Sequence, residues 1–428
     1  MTANQRLAQR LAEQFPRVIL DADPVWGDTK TGVVASANLP MHTGNPLREQ
    51  EQLLAGTAVT LLPLGVVAVS GPDRHEWLTL LTSQKLDQLH PGVWQHALIL
   101  DPQGHVSFEL WAADAPTEAS NRGTCAPNNA ANADNEPATV GSANAIWLLT
   151  TDAQSLTEFL GRMRFRSQVE VTDLSDRLVT LGYLRGDQPH ELPGALVAGA
   201  DTWPTVAQGG TFYTNTADNH PGLDARAHYA IFSEDTADAL LQNALAEIAA
   251  DPENLAPCDE NQPTNLAGTR AWQALRVARW QPSYPEIDGK TLPHELDWLR
   301  DSVHLHKGCY CGQETVARII NVGKPPRRLV FLHLDGSANL PAPGDSITSG
   351  DQPVGTITTI AEHYEDGPTA LGLLKRTTPV EAPLQAGGCA LAATPIVNPD
   401  GRADASPAQR PGAGQTGWVR RPEGRQRL

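Results

Sequence analysis

Cysteine is scarce in this chain of 428 residues: Cys125, Cys258, Cys309, Cys311 and Cys389 form an odd, scattered set of 5. Such a set builds no disulfide framework, and reduced thiols in a reducing compartment suit it best. Long apolar runs are missing as well, and no stretch approaches the ~20 apolar residues that a membrane helix needs. The opening MTANQRLAQRLAEQFPRVIL carries Glu13 and is followed by Asp21, without the apolar core of a secretion signal, so a cytoplasmic location is expected, with no membrane partner. Cations are outnumbered, 32 Lys and Arg against 49 Asp and Glu, which gives a formal net charge of −17. Proteins that bind nucleic acid draw most of their affinity from neutralising phosphates, so direct nucleic-acid binding is not expected here. The chain contains no phosphate-loop GxxxxGK[ST] and no HExxH. GAGQTG (Gly412 to Gly417) formally satisfies GxGxxG, but no strand precedes it and no amphipathic helix follows.

Glycine and proline are plentiful, at 36 and 34, beside 40% hydrophobic and 19% charged residues. This is the composition of a globular, turn-rich chain long enough for two or three domains. Leu7 and Leu11 predict a short N-terminal amphipathic helix, within an arm over 1–28. GVVAVSGPDRHEWLTLLTSQKL reads as strand, turn and helix, and ALILDPQGHVSFELWAAD as a hairpin about Pro102-Gln103-Gly104. Residues 114–144, poor in large apolar side chains, read as a flexible insertion in which Cys125 is a bystander. LTEFLGRMRF and the segment from Asp235 to Ala249 read as helices. Beyond Arg327 the pattern is almost all β, and a small barrel or sandwich is expected over 324–397, followed by a disordered tail over 398–428.

The densest chemistry lies in HLHKGCYCGQETVARII. Gly308 and Gly312 permit a sharp turn or a close approach to a ligand, and a helix begins at Gln313 with Val316, Ile319 and Ile320 on one side. Cys309 and Cys311 therefore precede a helix N-terminus, where the dipole and the Lys307 ammonium favour a thiolate. Two readings stand side by side: a reactive or ligand-contacting cysteine, or a tight turn in which cysteine is a small buried hydrophobe. A metal site with His304 and His306 would need a tight reversal at Gly308, and none is expected.

KGCYCGQE resembles the signature Lys-Gly-Cys-(Tyr or Phe)-x-Gly-Gln-Glu of the YgfZ-type folate-binding proteins, relatives of the glycine-cleavage T-protein. The similarity continues through ALR (Ala274 to Arg276), LPHELDWL, GNPLREQ, SGPDRHEWLTLLTSQKL, ALILDPQGHV and MRFRSQVEVTD, covering most of residues 30 to 397. It implies an α+β, T-protein-like fold: two α/β layers in a folate-binding body over 29–323, plus a small C-terminal β-barrel, around a central channel. It also implies tetrahydrofolate as cofactor, and a part in iron–sulfur cluster assembly or repair that supports iron–sulfur enzymes such as tRNA methylthiotransferases. The implied partners are iron–sulfur client proteins or cluster-assembly factors. By this carry-over Lys307, Gly308, Cys309, Tyr310, Gly312, Gln313 and Glu314 are the motif positions and Cys309 is the thiol near the folate pocket; the neighbouring ammonium of Lys307 is expected to tune that thiol.

Arg276, Arg318, Lys324, Arg327 and Arg328 are candidate cations for the folate tail, and Tyr310, Trp272 and Trp280 candidate walls for its pterin. The simpler reading has these tryptophans filling core and KPPRR acting as a linker. The T-protein has an Asp pair where this chain reads GHVSFEL, with Ser107 and Phe108 aligned there and Glu109 one step on. An aminomethyltransferase-like one-carbon enzyme, the alternative function, thereby loses its expected carboxylate. A CxC redox sensor is a third reading, disfavoured because the disulfide would be strained.

Overall fold

A computed structural model describes residues 1–21, 27–28, 33–34, 38–114, 145–185, 192–214, 219–250, 265–336 and 339–407. Most of the expected insertion, the GAGQTG segment, Cys125 and Cys258 lie outside the described residues.

The body is a ten-stranded mixed sheet made of two five-stranded halves. In one half the order is Glu170–Asp173, Gly65–Ser70, Ala145–Thr150, Val106–Asp114 and Val93–Leu100, all antiparallel. In the other it is Val197–Asp201, Arg226–Ser233, Leu178–Arg185, Ala58–Leu61 and Asn265–Ala267. Only two residue pairs, Ala200 with Val93 and Asp201 with Trp94, join the halves. Sequence dictates the pairing. Runs such as AIWLLT and LVTLGYLR are mostly apolar and buried nearly end to end because both faces of their strands are covered.

Helices Arg74–Leu81 and Ala153–Arg162 cover one half through Trp77, Leu78, Leu156 and Leu160. The N-terminal helix Ala3–Gln14 buries Leu7 and Leu11 on the other half, beside helix Glu234–Ala250. A Thr2–Gln5 capping box starts it, and Arg6 and Arg10 pair with Glu234 and Asp238. Helix Thr269–Ala278 lies against the opposite face of the sheet, burying Ala271, Trp272 and Leu275 in the central core.

The C-terminal strands Arg327–Leu334, Gly367–Lys375, Gln352–His363, Ser346–Ser349, Leu384–Ala386 and Cys389–Pro395 close into a barrel. Residues 398–407, expected to be disordered, instead lie on the body: Asn398 N donates to Tyr213 O at 2.9 Å, and Asp404 N to Phe212 O at 2.9 Å. Backbone hydrogen bonds to the 211–213 segment order a stretch whose composition alone predicts none. Among the described residues no helix is long and apolar enough to cross a membrane.

Candidate functional site

The turn at 307–314 sits where the hairpin of the first half-sheet meets helix Gln313–Asn321. Asp101 organises the hairpin end: its carboxylate accepts from Gln103 N and His105 N, each at 2.8 Å, and from the His105 ring at 3.0 Å. Gly312 caps the helix at φ 81°, and a methyl group there would stand 2.8 Å from Asp101 O and 2.9 Å from Gly104 Cα. Glycine is demanded at this point by close approach and by backbone sign together. Gly308 is different. It has open space around it and no positive φ.

Lys307 reaches back to helix Arg74–Leu81, donating to the Thr79 carbonyl and to Thr82 O at 2.7 Å, while its ammonium lies 4.7 Å from the Tyr310 ring centroid. The carbonyls at a helix C-terminus and an aromatic face both attract a cation. Burial lowers the Lys307 pKa to about 8, against the opposing pull of Asp87 and Cys309. Tyr310 is buried in the second core cluster, and burial pushes its hydroxyl pKa up. These anchors leave Cys309 and Cys311 exposed on a fixed turn. They are not equivalent: burial, then the Asp101 carboxylate, raise the Cys311 pKa. Glu314 and Arg318 are exposed and Gln313 half-exposed on the helix. Among the described residues no group of three or more His, Cys, Asp or Glu is arranged to hold a metal ion.

Arg276 lies elsewhere, fully buried and held by other partners. Its guanidinium donates to Gln273 Oε1 at 2.9 Å, Gln281 O at 2.6 Å, Glu286 Oε2 at 2.8 Å and Thr359 Oγ1 at 3.0 Å, so it pins the body helix to the barrel. Arg328 is buried on carbonyls of Arg376 and Thr378, and Arg327 pairs with Asp288 and Glu295. Trp272 fills core beside Tyr229, and Trp280 packs against His220 and Phe331. Arg318 and Lys324 stay exposed.

Sequence reasoning missed a buried polar network at the junction of the half-sheets. The His96 ring, stacked on Trp111 at 5.1 Å, meets Asp301 Oδ1 at 3.1 Å and Glu109 Oε1 at 3.4 Å. Burial alone would lower the His96 pKa, but the two carboxylates overcome it and raise the value to about 10. Burial raises the Glu109 and Asp201 carboxyls. Ser283 Oγ donates to Glu109 Oε2 at 3.0 Å; Tyr229 OH and Gln281 Nε2 donate to Asp201 Oδ2 at 3.0 and 2.6 Å. The strand that seemed to offer no carboxylate does supply one: Ser107 faces outward while Glu109 is buried. The signal available in sequence was an acidic residue directly before the apolar run Leu110–Ala113, because a carboxylate on a buried strand needs partners.

Two spaces bear on tetrahydrofolate. Beside this network, Trp111, Tyr229, Trp272, Arg276 and Ser283 enclose about 10 Å³, room for one water and none for a pterin. A cleft of about 1500 Å³ runs between body and barrel, with Met41, Tyr284, Ile287 and Ile360 as apolar wall and Arg270 and Lys375 as cations. In volume and donor types the cleft fits a flat ring with an anionic tail; the enclosed space does not.

Over 92% of this chain and 98% of the other, the architecture matches the crystal structure of glycine cleavage system aminomethyltransferase T from Bartonella henselae, with TM-score 0.61 and 16% identity. The protein has a T-protein-like α+β fold with a closed six-stranded C-terminal barrel. Residues 327–397 match the CAF17 C-terminal beta-barrel domain. Among named proteins, the chain is 24% identical over 278 residues to an iron-sulfur cluster assembly factor IBA57 homolog, mitochondrial, of Mycosarcoma maydis, covering 63% of this chain and 55% of that one. It is 33% identical over 114 residues to a chloroplastic protein of Arabidopsis thaliana named as a transferase, covering 26% of this chain and 25% of that one. The matched segments thus span about half and a quarter of these relatives.

Proposed function

We propose that the protein is an assembly or repair factor for iron–sulfur proteins, of YgfZ type, in which Cys309 is a transient cluster ligand. The observation that carries this reading is the exposure of Cys309 on a turn fixed by Lys307 and by the Gly312–Gly104 contact. Thiolates are soft ligands suited to iron–sulfur clusters, and an exposed one can be shared with a donor and then an acceptor. Each exchange forms one iron–Cys309 sulfur bond, breaks one bond from iron to the outgoing ligand and releases the thiol proton to solvent. No electron changes hands. Lys307 offsets the thiolate charge, while burial, and then the Asp101 carboxylate, favour the thiol form of Cys311. The likeness of 63% of the chain to an iron–sulfur assembly factor supports the same reading.

Tetrahydrofolate is the proposed cofactor and the cleft its proposed site, with Tyr284 and Ile287 against the pterin and Arg270 and Lys375 toward the glutamate carboxylates. When bound it supplies a secondary amine that accepts one-carbon units. Clients such as tRNA methylthiotransferases belong to the same proposal, as does a reducing, cytoplasmic setting. The alternative, one-carbon transfer, gains Glu109 as a carboxylate, but Ser283 and His96 already engage it beside a space too small for substrate.

The test is anaerobic loading with ferrous iron and sulfide, followed by visible absorption. Wild type and Cys311→Ser should load, and Cys309→Ser should lose about tenfold or more of the cluster, the usual penalty for removing a first ligand or its support. Equal loading of Cys309→Ser would sink the reading.

A further inference from the structure

Phe165 is 88% exposed, more than any other large apolar side chain among the described residues, and its φ is 42°. A bulky residue adopts the left-handed region only when its surroundings impose it. The imposing contacts are visible. Trp77 Nε1 donates to Met163 O at 3.1 Å, Ser167 N to Arg164 O at 2.8 Å, and Gln168 N to Asp73 Oδ2 at 2.7 Å. Gly71 makes room for the Gln168 carbonyl, which would stand 2.2 Å from any methyl group placed there. The ring is therefore held out in water by a loop fixed at both ends.

Arg162, Arg164 and Arg166 surround it, all exposed, and none forms an ion pair among the described residues. A triple positive charge in five residues stands out on a chain of net charge −17. Arginine and aromatic side chains together are the composition of an interface hot spot. The knob also lies near the thiol turn. Trp77, which holds Met163, and Thr79, which receives Lys307, belong to the same eight-residue helix, about 12 Å long. Leu80 on that helix is itself 54% exposed.

We propose that the Arg162–Arg166 knob is the docking surface for an acidic protein that exchanges a cluster with Cys309, with Phe165 entering an apolar pocket rimmed by carboxylates. The partner's identity as a cluster carrier rests on the function proposed above; the surface rests on the knob itself. Charge complementarity selects an acidic surface, because three clustered cations attract one, and the rigidly held ring between them fits an apolar pocket of a folded protein.

The experiment uses the full chain and a plant-type apo-ferredoxin, an acidic protein built to receive a [2Fe–2S] cluster, with binding read by biolayer interferometry at low and moderate salt. Wild-type affinity should fall severalfold as salt rises. Phe165→Ser should weaken binding about tenfold and Arg164→Glu/Arg166→Glu about thirtyfold or more, both without changing iron and sulfide loading. Cys309→Ala separates the two ideas: it should bind apo-ferredoxin like wild type yet fail to load. Normal loading by Cys309→Ala together with knob-dependent binding would overturn the cluster reading and leave the docking surface standing. Absence of wild-type binding, or binding indifferent to the knob substitutions, overturns the docking surface. So does knob-dependent flotation with phosphatidylglycerol vesicles, knob-dependent tRNA binding, or dimerisation of the chain through the knob.

Discussion

At the thiol turn the reactive groups face water and their anchors are backbone atoms: Lys307 grips two carbonyls, and Gly312 leans on Asp101 O. At the sheet junction and its seam with the barrel the arrangement is reversed. His96 and Arg276 there are buried, and each is answered by another side chain, His96 by Asp301 and Glu109, Arg276 by Glu286. A group held by backbone can exchange its outward chemistry without disturbing the fold. A group that answers a buried charge cannot be removed alone, because its partner is left uncompensated in a low-dielectric interior. The difference separates groups free to exchange partners from groups that hold the frame, and Arg276, expected from sequence beside the folate, is held by the frame.

The comparison breaks first at Arg276 if it is wrong. Arg276→Ala strands the Glu286 carboxylate, whose other partners are Ser283 N at 2.8 Å and the hydroxyls of Thr358 and Thr359 at 2.9 and 2.5 Å. A loss of about 4 kcal/mol in denaturant unfolding is expected, from removing one member of a buried ion pair. A near-normal unfolding curve with weakened folate binding would instead make Arg276 a ligand residue.

A somewhat smaller effect follows from titration. His96, with its pKa raised to about 10, contributes stability that is complete below the unfolded value near 6.5 and is lost as pH rises through 10. His294 and His220, lowered by burial to about 4 and about 3, act on the other side: they are neutral in the fold, so stability is lost as pH falls below 6.5 toward those values. Lys307, lowered to about 8, opposes His96 between pH 8 and 10.5 and makes the alkaline decline shallower there. Taken alone the histidines place the stability maximum near pH 6.5, and the raised carboxyls of Glu109 and Asp201 pull it toward lower pH. His96→Gln should cost about 3 kcal/mol near pH 6.5 and flatten the alkaline limb while leaving the acid limb intact. An unchanged alkaline limb would show that His96 is neutral in the fold.

The two regions were also unequally legible. KGCYCGQE is contiguous, so its turn, its glycines and the helix from Gln313 could be read from neighbours in sequence. The strands read correctly where alternation or an apolar run marked them, as in ALILDPQGHV and LVFLHLDG. His96 and Glu109 meet across the hairpin of Val93–Leu100 with Val106–Asp114, whereas Asp301 comes from about two hundred residues away and Asp201 arrives through the pairing of Val197–Asp201 with Val93–Leu100. No local pattern encodes that pairing, and it rests on two residue pairs. The surroundings of Arg276 were hidden for a related reason: spacing shows that a cation sits on a helix, whereas its partners Glu286 and Thr359 come from a turn and a barrel strand.

The smallest expected effect is the sharpest test within the turn, since Gly308 and Gly312 look alike in sequence and differ in space. Gly312→Ala must bring a methyl group within 2.8 Å of Asp101 O at φ 81°, with both neighbours backbone atoms that cannot swing aside. A cost of about 2 kcal/mol is expected, combining left-handed strain with displacement of the hairpin. Gly308→Ala meets nothing within 4 Å and should change stability by less than about 0.5 kcal/mol. Thermal unfolding of the two variants side by side decides it. If Gly308→Ala unfolds like wild type yet loads iron and sulfide poorly, Gly308 serves access to Cys309, and the motif divides into a half that shapes the turn and a half that keeps its thiol open.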